Sequence, residues 1–298
     1  MSAAMMLIIA VLMLGLGLAL TVDDFRRVRH HRPTIAVALV CQLLILPIAC
    51  FGIVTLFALP PVAAVGMMLV AAAPGGPLAG LYSHLFGSDV AFNLTLTAVN
   101  SVLSVFTLTI ITNLSLDHFL PDEDGIGLHG REIATIFAAV LVPIAIGMSV
   151  RTRRPELAAR AERLFRIISV LGLGLFVLAG LLTNGSDLAD NLTSVSPAVL
   201  VFALVSLTIG YAAGRITRAG RRVSIAAGME IGFHNAAVSL SLALGISDDF
   251  AIAVPASIYG FAIMIIATAF GFLIRRLAPG EPAPVNRPPR PCQEHRAP

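Results

Sequence analysis

Long apolar runs, separated by short polar stretches, constrain this chain more than any other feature of its sequence. A helix needs about 20 predominantly apolar residues to cross the hydrocarbon of a bilayer. Nine segments read as such spans: approximately Ala3–Val22, Thr34–Leu59, Val62–Phe86, Val90–Leu116, Ile133–Val150, Leu164–Leu182, Ala198–Tyr211, Val223–Leu244 and Phe250–Ile274. The seventh is the weakest, its run being short unless Arg215 and Arg218 snorkel at its end. Charged residues make up 12% of the chain, about half of what a globular domain carries, too few to coat a water-soluble fold. With three tyrosines, no tryptophan and long runs in place of ten-residue alternation, an outer-membrane barrel is excluded as well. The expected fold is an all-α membrane protein with about nine transmembrane helices, and the lipid bilayer is its first partner.

The basic residues test that count. All 20 are arginines, and they fall in short clusters between apolar runs, which is a topology signal and not a nucleic-acid surface. Arg26, Arg27, Arg29 and Arg32 follow the first span; Arg151, Arg153, Arg154, Arg160, Arg163 and Arg166 follow the fifth; Arg215, Arg218, Arg221 and Arg222 follow the seventh; Arg275, Arg276, Arg287, Arg290 and Arg296 follow the ninth. Only Arg131 falls on the opposite side, which receives most of the acids, among them Asp117, Asp122, Asp187, Asp190, Asp248 and Asp249. Positive residues mark cytoplasmic loops, so the N-terminus is expected outside and the C-terminus in the cytoplasm, in a bacterial-type inner membrane. A cleaved signal peptide carries its positive charge before the apolar stretch; here the arginines come after it, so Met1–Leu20 is expected to remain as a helix. The membrane unit is expected to cover 1–277, and the proline-rich segment 278–298 to form a disordered cytoplasmic tail. Cys41, Cys50 and Cys292 make neither a disulfide framework nor a metal-ligand spacing.

Of the 17 acidic residues, Glu230 alone stands in the middle of an apolar span. An ionisable side chain at that depth is costly and marks a functional site with a partner to be found; the plainer alternative is a carboxyl kept neutral by desolvation and hydrogen-bonded to a neighbouring helix. In Met229-Glu230-Ile231-Gly232-Phe233-His234-Asn235, Glu230 and His234 share one helical face at i,i+4. Gly228 and Gly232 would let that helix open and free backbone carbonyls for a cation, an arrangement tolerated at membrane depth only where it lines a cavity. A second break is expected at Pro74-Gly75-Gly76-Pro77, leaving a half-helix N-terminus that favours an anion. Two interrupted helices in corresponding positions of two halves point to a transporter's binding site. Between them, Asn93, Thr97, Asn100, Ser104 and Thr107 recur at helical spacing and form one polar stripe, serving either as ligands or as interhelical glue. Gln42, five residues before Pro47, is open to the same two readings.

Ala73-Pro74-Gly75-Gly76 in a broken helix, a polar helix after it, and Glu230-Ile231-Gly232 with Asn235 in a second broken helix resemble the bile acid:sodium symporter family. The resemblance covers nearly the whole membrane region and implies two inverted repeats forming a core and a panel domain, with two crossover helices. The family has ten helices, so the chain is expected to lack the first, which agrees with the N-out orientation. The resemblance further implies two sodium ions behind the crossing and an organic anion in the adjacent cavity. One sodium site is implied at Gln42, Glu230, Ile231 and Phe233, with His234 where the family commonly has glutamine. Nitrogen is a soft partner for a cation that prefers oxygen. The other site usually takes a Ser-Asn pair that reads Ala79-Gly80 here, leaving Asn93 and Thr97 with Glu230. Pro77, Asn100 and Asn235 are implied substrate contacts, whereas the polar pair of the last helix is replaced by Ile263-Met264. A smaller organic anion is at least as well suited as a bile acid.

The expected function is therefore sodium-coupled symport of an organic anion by alternating access. The alternative is a proton-coupled carrier or antiporter in which Glu230 and His234 exchange the proton. An intramembrane enzyme is not expected: there is no Gly-X-Ser-Gly nucleophile with a partner histidine, no Gly-X-Gly-Asp signature and no Asp-Asp-X-X-Asp motif. A ligand sensor without turnover would be separated from a carrier by flux.

Overall fold

The computed structural model describes residues 3–76, 78–121, 130–165, 167, 171, 185–247 and 250–277. Pro77, most of the expected span Leu164–Leu182 and the 278–298 tail lie outside the described residues. The named helices are α1 (Ala3–Ala19), α2 (Val22–Arg27), α3 (Arg32–Val40), α4 (Leu46–Leu56), α5 (Pro61–Ala72), α6 (Ala79–Leu85), α7 (Val90–Phe119) and α8 (Gly130–Arg153), then α9, described over 155–165. They continue with α10 (Gly185–Ile216), α11 (Arg221–Gly232), α12 (Ala236–Ile246) and α13 (Val254–Leu277). Among the described residues the only extended pairing is one isolated bridge between Gly75 and His234.

Among the described residues, three helical stretches are long and apolar enough to cross a membrane: Arg32–Leu56, Thr193–Ile216 and Phe250–Leu277. A fourth forms if the two limbs of α7, Val90–Ser104 and Phe106–Phe119, are taken together across their 50° bend. The first of these is α3 and α4 joined without interruption by a π-turn at Cys41–Ile45. Pro47, one residue into α4, has no N–H to donate and crowds the carbonyl four residues before it. A wider turn at that point is how a helix absorbs both effects.

The expected seventh span is corrected by the structure. In place of the short run Ala198–Tyr211, α10 extends over 32 residues from Gly185 to Ile216, with Pro197 inside it. Hydropathy marks where a helix is apolar and not where its backbone hydrogen bonds stop, so the polar turns around Asp187 and Asp190 were missed. The expected spans Val62–Phe86 and Val223–Leu244 each divide in two, as their glycine and proline signals indicated. Their apolar halves α5 and α12 are 12 and 11 residues long, each too short to cross alone.

Three of the four arginine clusters converge at one end of the molecule. Thr34 Oγ1 lies 2.9 Å from Thr217 Oγ1, bringing the 26–32 cluster beside the 215–222 cluster. Arg221 Nη2 donates to the Ile274 carbonyl at 3.5 Å, adding Arg275 and Arg276 to the same end. The Asp89 N–H donates to Arg222 O at 3.2 Å, so α6 ends, and α7 and α11 begin, there too.

Burial is arranged for a lipid environment. Leu44, Ile48, Ile110, Leu114, Leu204 and Ile265 are exposed, while α5 and α11 are buried along almost their whole length. Within the interior, α10 and α11 approach closely along a glycine seam. A Cβ on Gly214 would collide with the Ser224 backbone, and one on Gly232 with the Leu207 side chain. Small residues at such seams let membrane helices pack backbone to backbone.

Candidate functional site

The two breaks meet and pair with each other. α5 ends at Ala72 and α6 begins at Ala79; α11 ends at Gly232 and α12 begins at Ala236. Gly76 N–H donates to Phe233 O, and Asn235 N–H donates to Pro74 O at 2.8 Å, closing a short antiparallel ladder around the Gly75–His234 bridge. Backbone freed from a helix inside a membrane must find partners within the protein, and here each break supplies them to the other. The half-helices are tied off by side chains. Asn235 Oδ1 accepts from the Val238 N–H at 3.2 Å and caps α12. Ser239 Oγ lies 3.3 Å from Leu69 O and 3.1 Å from Asn235 O. Tyr259 donates its hydroxyl to Gly232 O at 2.5 Å, meeting a carbonyl at the end of α11.

Glu230 lies immediately behind this crossing. It is 0% exposed. Its Oε2 accepts from Thr97 Oγ1 at 2.6 Å, and its Oε1 has no hydrogen-bond partner. Asn93 lies beside the carboxylate, with its Nδ2 donating to Ala226 O at 3.2 Å and its Oδ1 unpartnered. The ion pairs Arg26–Asp23 and Arg27–Asp24 lie elsewhere. Gly75 is required here for lack of a side chain: a Cβ at that position would overlap Glu230 Oε1.

Gln42 approaches the crossing from the π-turn. Its Nε2 donates to Ala73 O at 3.3 Å and lies 3.3 Å from His234 Nδ1, while its Oε1 has no partner. His234 Nδ1 is also 3.3 Å from Ala73 O. The imidazole stacks on Phe202 at 5.3 Å and meets Tyr259 edge-on at 5.4 Å, leaving Nε2 without a hydrogen bond. The Oε1 atoms of Gln42 and Glu230 and Asn93 Oδ1 are thus buried oxygen acceptors with no donor. Buried oxygens are ordinarily paired, and such donor sets suit a hard cation. Among the described residues there is no group of three or more His, Cys, Asp and Glu able to hold a metal ion.

The structure thus brings Gln42, Asn93, Thr97, Glu230, Phe233, His234 and Asn235 to the crossing. The other expected site residues stand apart. The Ile231 side chain packs towards α10, where a Cβ on Gly210 would meet it, leaving only its backbone for a ligand role. Asn100 is buried on α7 with both amide atoms unpartnered, and Pro77 is outside the described residues. Ser104 and Thr107 bond to carbonyls of their own helix, each at 3.2 Å, beside the α7 bend. Position 80 faces the site without a ligand: a Cβ on Gly80 would stand 3.6 Å from Asn93 Oδ1.

Sequence reasoning missed Tyr259 and Ser239, which bind backbone carbonyls of the two breaks. A tyrosine inside an apolar span, in a chain with only three, was the available signal. Tyr259→Phe removes the bond to Gly232 O and is expected to cost about 1 kcal/mol, read as a small fall in melting temperature with the fold retained.

Comparison with known proteins gives the family. The model of the sodium bile acid symporter family matches residues 6–191. The chain is 24% identical to an uncharacterized sodium-dependent transporter, YocS, of Bacillus subtilis over 242 residues, 81% of this chain and 74% of that one. It is 26% identical to a probable chloroplastic sodium/metabolite cotransporter, BASS2, of Oryza sativa subsp. japonica, covering 87% of this chain and 60% of that protein. Against the ileal sodium/bile acid cotransporter of Cricetulus griseus the identity is 22%, with coverage of 72% and 60%. The chain thus spans between three fifths and three quarters of these relatives' lengths. With the family model matched over more than half of the chain and the two breaks paired in front of a buried carboxylate, the chain belongs to the sodium bile acid symporter family.

Proposed function

We propose that this protein is a sodium-coupled symporter of a small organic anion, working by alternating access. The observation that carries the reading is Glu230: a fully buried carboxylate with one oxygen on Thr97, the other unpartnered, and no basic side chain paired with it. Burying an uncompensated charge is expensive, so the site is built for a cation that comes and goes. Gln42 Oε1, Glu230 Oε1 and the carbonyls of Ile231 and Phe233 would hold one sodium ion, with the His234 imidazole at its edge. Asn93 and Thr97 would share Glu230 in a second, depleted site, since position 80 offers no side chain.

Sodium at Glu230 would neutralise the carboxylate and fasten the π-turn of Gln42, α7 and α11 around the paired breaks. The anion would then bind at the opened crossing, against Asn235 and the N-terminus of α12, with Pro77 and Asn100 as further contacts. The architecture proposed around this site is nine spans in two inverted repeats, with the arginine-rich end in the cytoplasm and the N-terminus outside, in an inner membrane. A bile acid is not the favoured substrate: Ile263 is buried, and Met264 offers Tyr82 only its carbonyl.

Proton coupling through Glu230 and His234 is the second reading, favoured by the unpartnered His234 Nε2. Uptake into proteoliposomes separates the two. An inward sodium gradient at equal pH is expected to drive accumulation of a carried organic anion, with potassium unable to replace sodium. Uptake indifferent to sodium but driven by a pH gradient would overturn sodium coupling and install the proton reading.

A further inference from the structure

A second feature lies far from the crossing, at the corner where α8 turns into α9. A groove of about 570 Å³ opens there, lined by Val142, Ile146, Val150 and Leu157 and, where α8 ends, by Arg153 and Arg154. Val142, Ile146 and Leu157 are exposed, so the groove faces outward from the helix bundle. The Ser149 hydroxyl is committed to Ala145 O at 2.8 Å, leaving the two guanidinium groups as the polar function among the described lining residues. Neither arginine forms an ion pair with a described residue, and Glu156 nearby engages neither. Beside them, Arg151 Nη1 is buried and unpartnered.

The dimensions are informative. Val142 to Arg153 covers eleven helical steps, about 16 Å at 1.5 Å per residue, close to half the roughly 30 Å hydrocarbon thickness of a bilayer. The groove therefore runs the depth of one leaflet, apolar along its length and cationic where α8 ends in arginines. Arginine binds phosphate oxygens through its planar fork, and basic sites at helix ends attract anionic headgroups by about 1 kcal/mol per residue.

We propose that this groove is a binding site for an anionic phospholipid, its acyl chain against Val142, Ile146 and Leu157 and its phosphate on Arg153 and Arg154. The occupant is a lipid and not a soluble phosphate, because the charged end is continuous with an apolar wall that a free ion leaves uncovered. The site rests on the membrane placement of the family and not on the identity of the transported anion.

Native mass spectrometry of the full-length protein, exchanged into detergent with equal amounts of phosphatidylglycerol and phosphatidylcholine of the same acyl chains, tests it. Wild type is expected to retain phosphatidylglycerol selectively. The Arg153→Gln/Arg154→Gln variant should lose about thirtyfold in affinity, two arginines' share of headgroup attraction. Arg153→Lys/Arg154→Lys should retain a good part of it, and Arg275→Gln/Arg276→Gln at the arginine-rich end should behave as wild type. Ile146→Trp, which fills the groove without changing charge, should displace the lipid. Inorganic phosphate should compete poorly. Equal retention of the two lipids, unaltered retention in the Gln or the Trp variant, full competition by free phosphate, or a second copy of the chain in place of lipid would each overturn the proposal.

Discussion

Gly75→Ala is expected to abolish sodium-driven uptake. The methyl group would occupy the position of Glu230 Oε1, and neither side has room to give. Gly75 is held in the bridge to His234, with Gly76 N–H on Phe233 O and Pro74 O accepting from Asn235. Glu230 is held by Thr97 at 2.6 Å. Either the two breaks part or the carboxylate turns away from its ligands, and both outcomes remove the ion site. Overpacking a close-packed interior costs about 1–3 kcal/mol, so the variant should still insert and fold at lower stability. Uptake at background in a protein that melts cooperatively is the expected pair of results. Near-normal uptake would show that the carboxylate does not need its place against the crossing.

Glu230→Gln is the second large effect, and it separates charge from shape. Glutamine is isosteric, and its amide oxygen can accept from Thr97 as the carboxylate does, but it brings no negative charge. Uptake is expected to fall to background and to lose its dependence on sodium. The variant should be at least as stable as wild type without sodium, because an uncompensated buried carboxylate opposes folding. Radiolabelled uptake across a sodium titration, with thermal unfolding in choline, measures both. A variant that still responds to sodium as wild type does would remove Glu230 from the ion site.

Much of this site was legible in the sequence. Glu230 was conspicuous as a lone carboxylate in an apolar span, and the Pro-Gly-Gly-Pro and Gly-Met-Glu-Ile-Gly stretches located both breaks. The pairing of those breaks through Gly76, Phe233, Pro74 and Asn235 was not legible, because backbone partnerships between distant segments leave no trace in local composition. The π-turn that carries Gln42 was hidden for a related reason: it answers the geometry of Pro47, which reads in sequence only as a tolerated proline. Hydropathy shortened α10 by more than half, because its first turns are polar yet helical. The polar stripe of α7 was legible as a stripe but not as two kinds of residue. Asn93 and Thr97 reach Glu230, whereas Ser104 and Thr107 serve their own backbone at the bend. Tyr259 escaped notice because its contact is a carbonyl that exists only once α11 is broken.

Sodium binding to the folded protein is the central claim, and thermal unfolding at constant ionic strength, with choline replacing sodium, tests it most directly. A ligand that binds only the native state at about 100 times its dissociation constant stabilises it by roughly 2.7 kcal/mol. The account predicts a rise in melting temperature with sodium for wild type and none for Glu230→Gln. Equal melting of wild type in sodium and choline would contradict it.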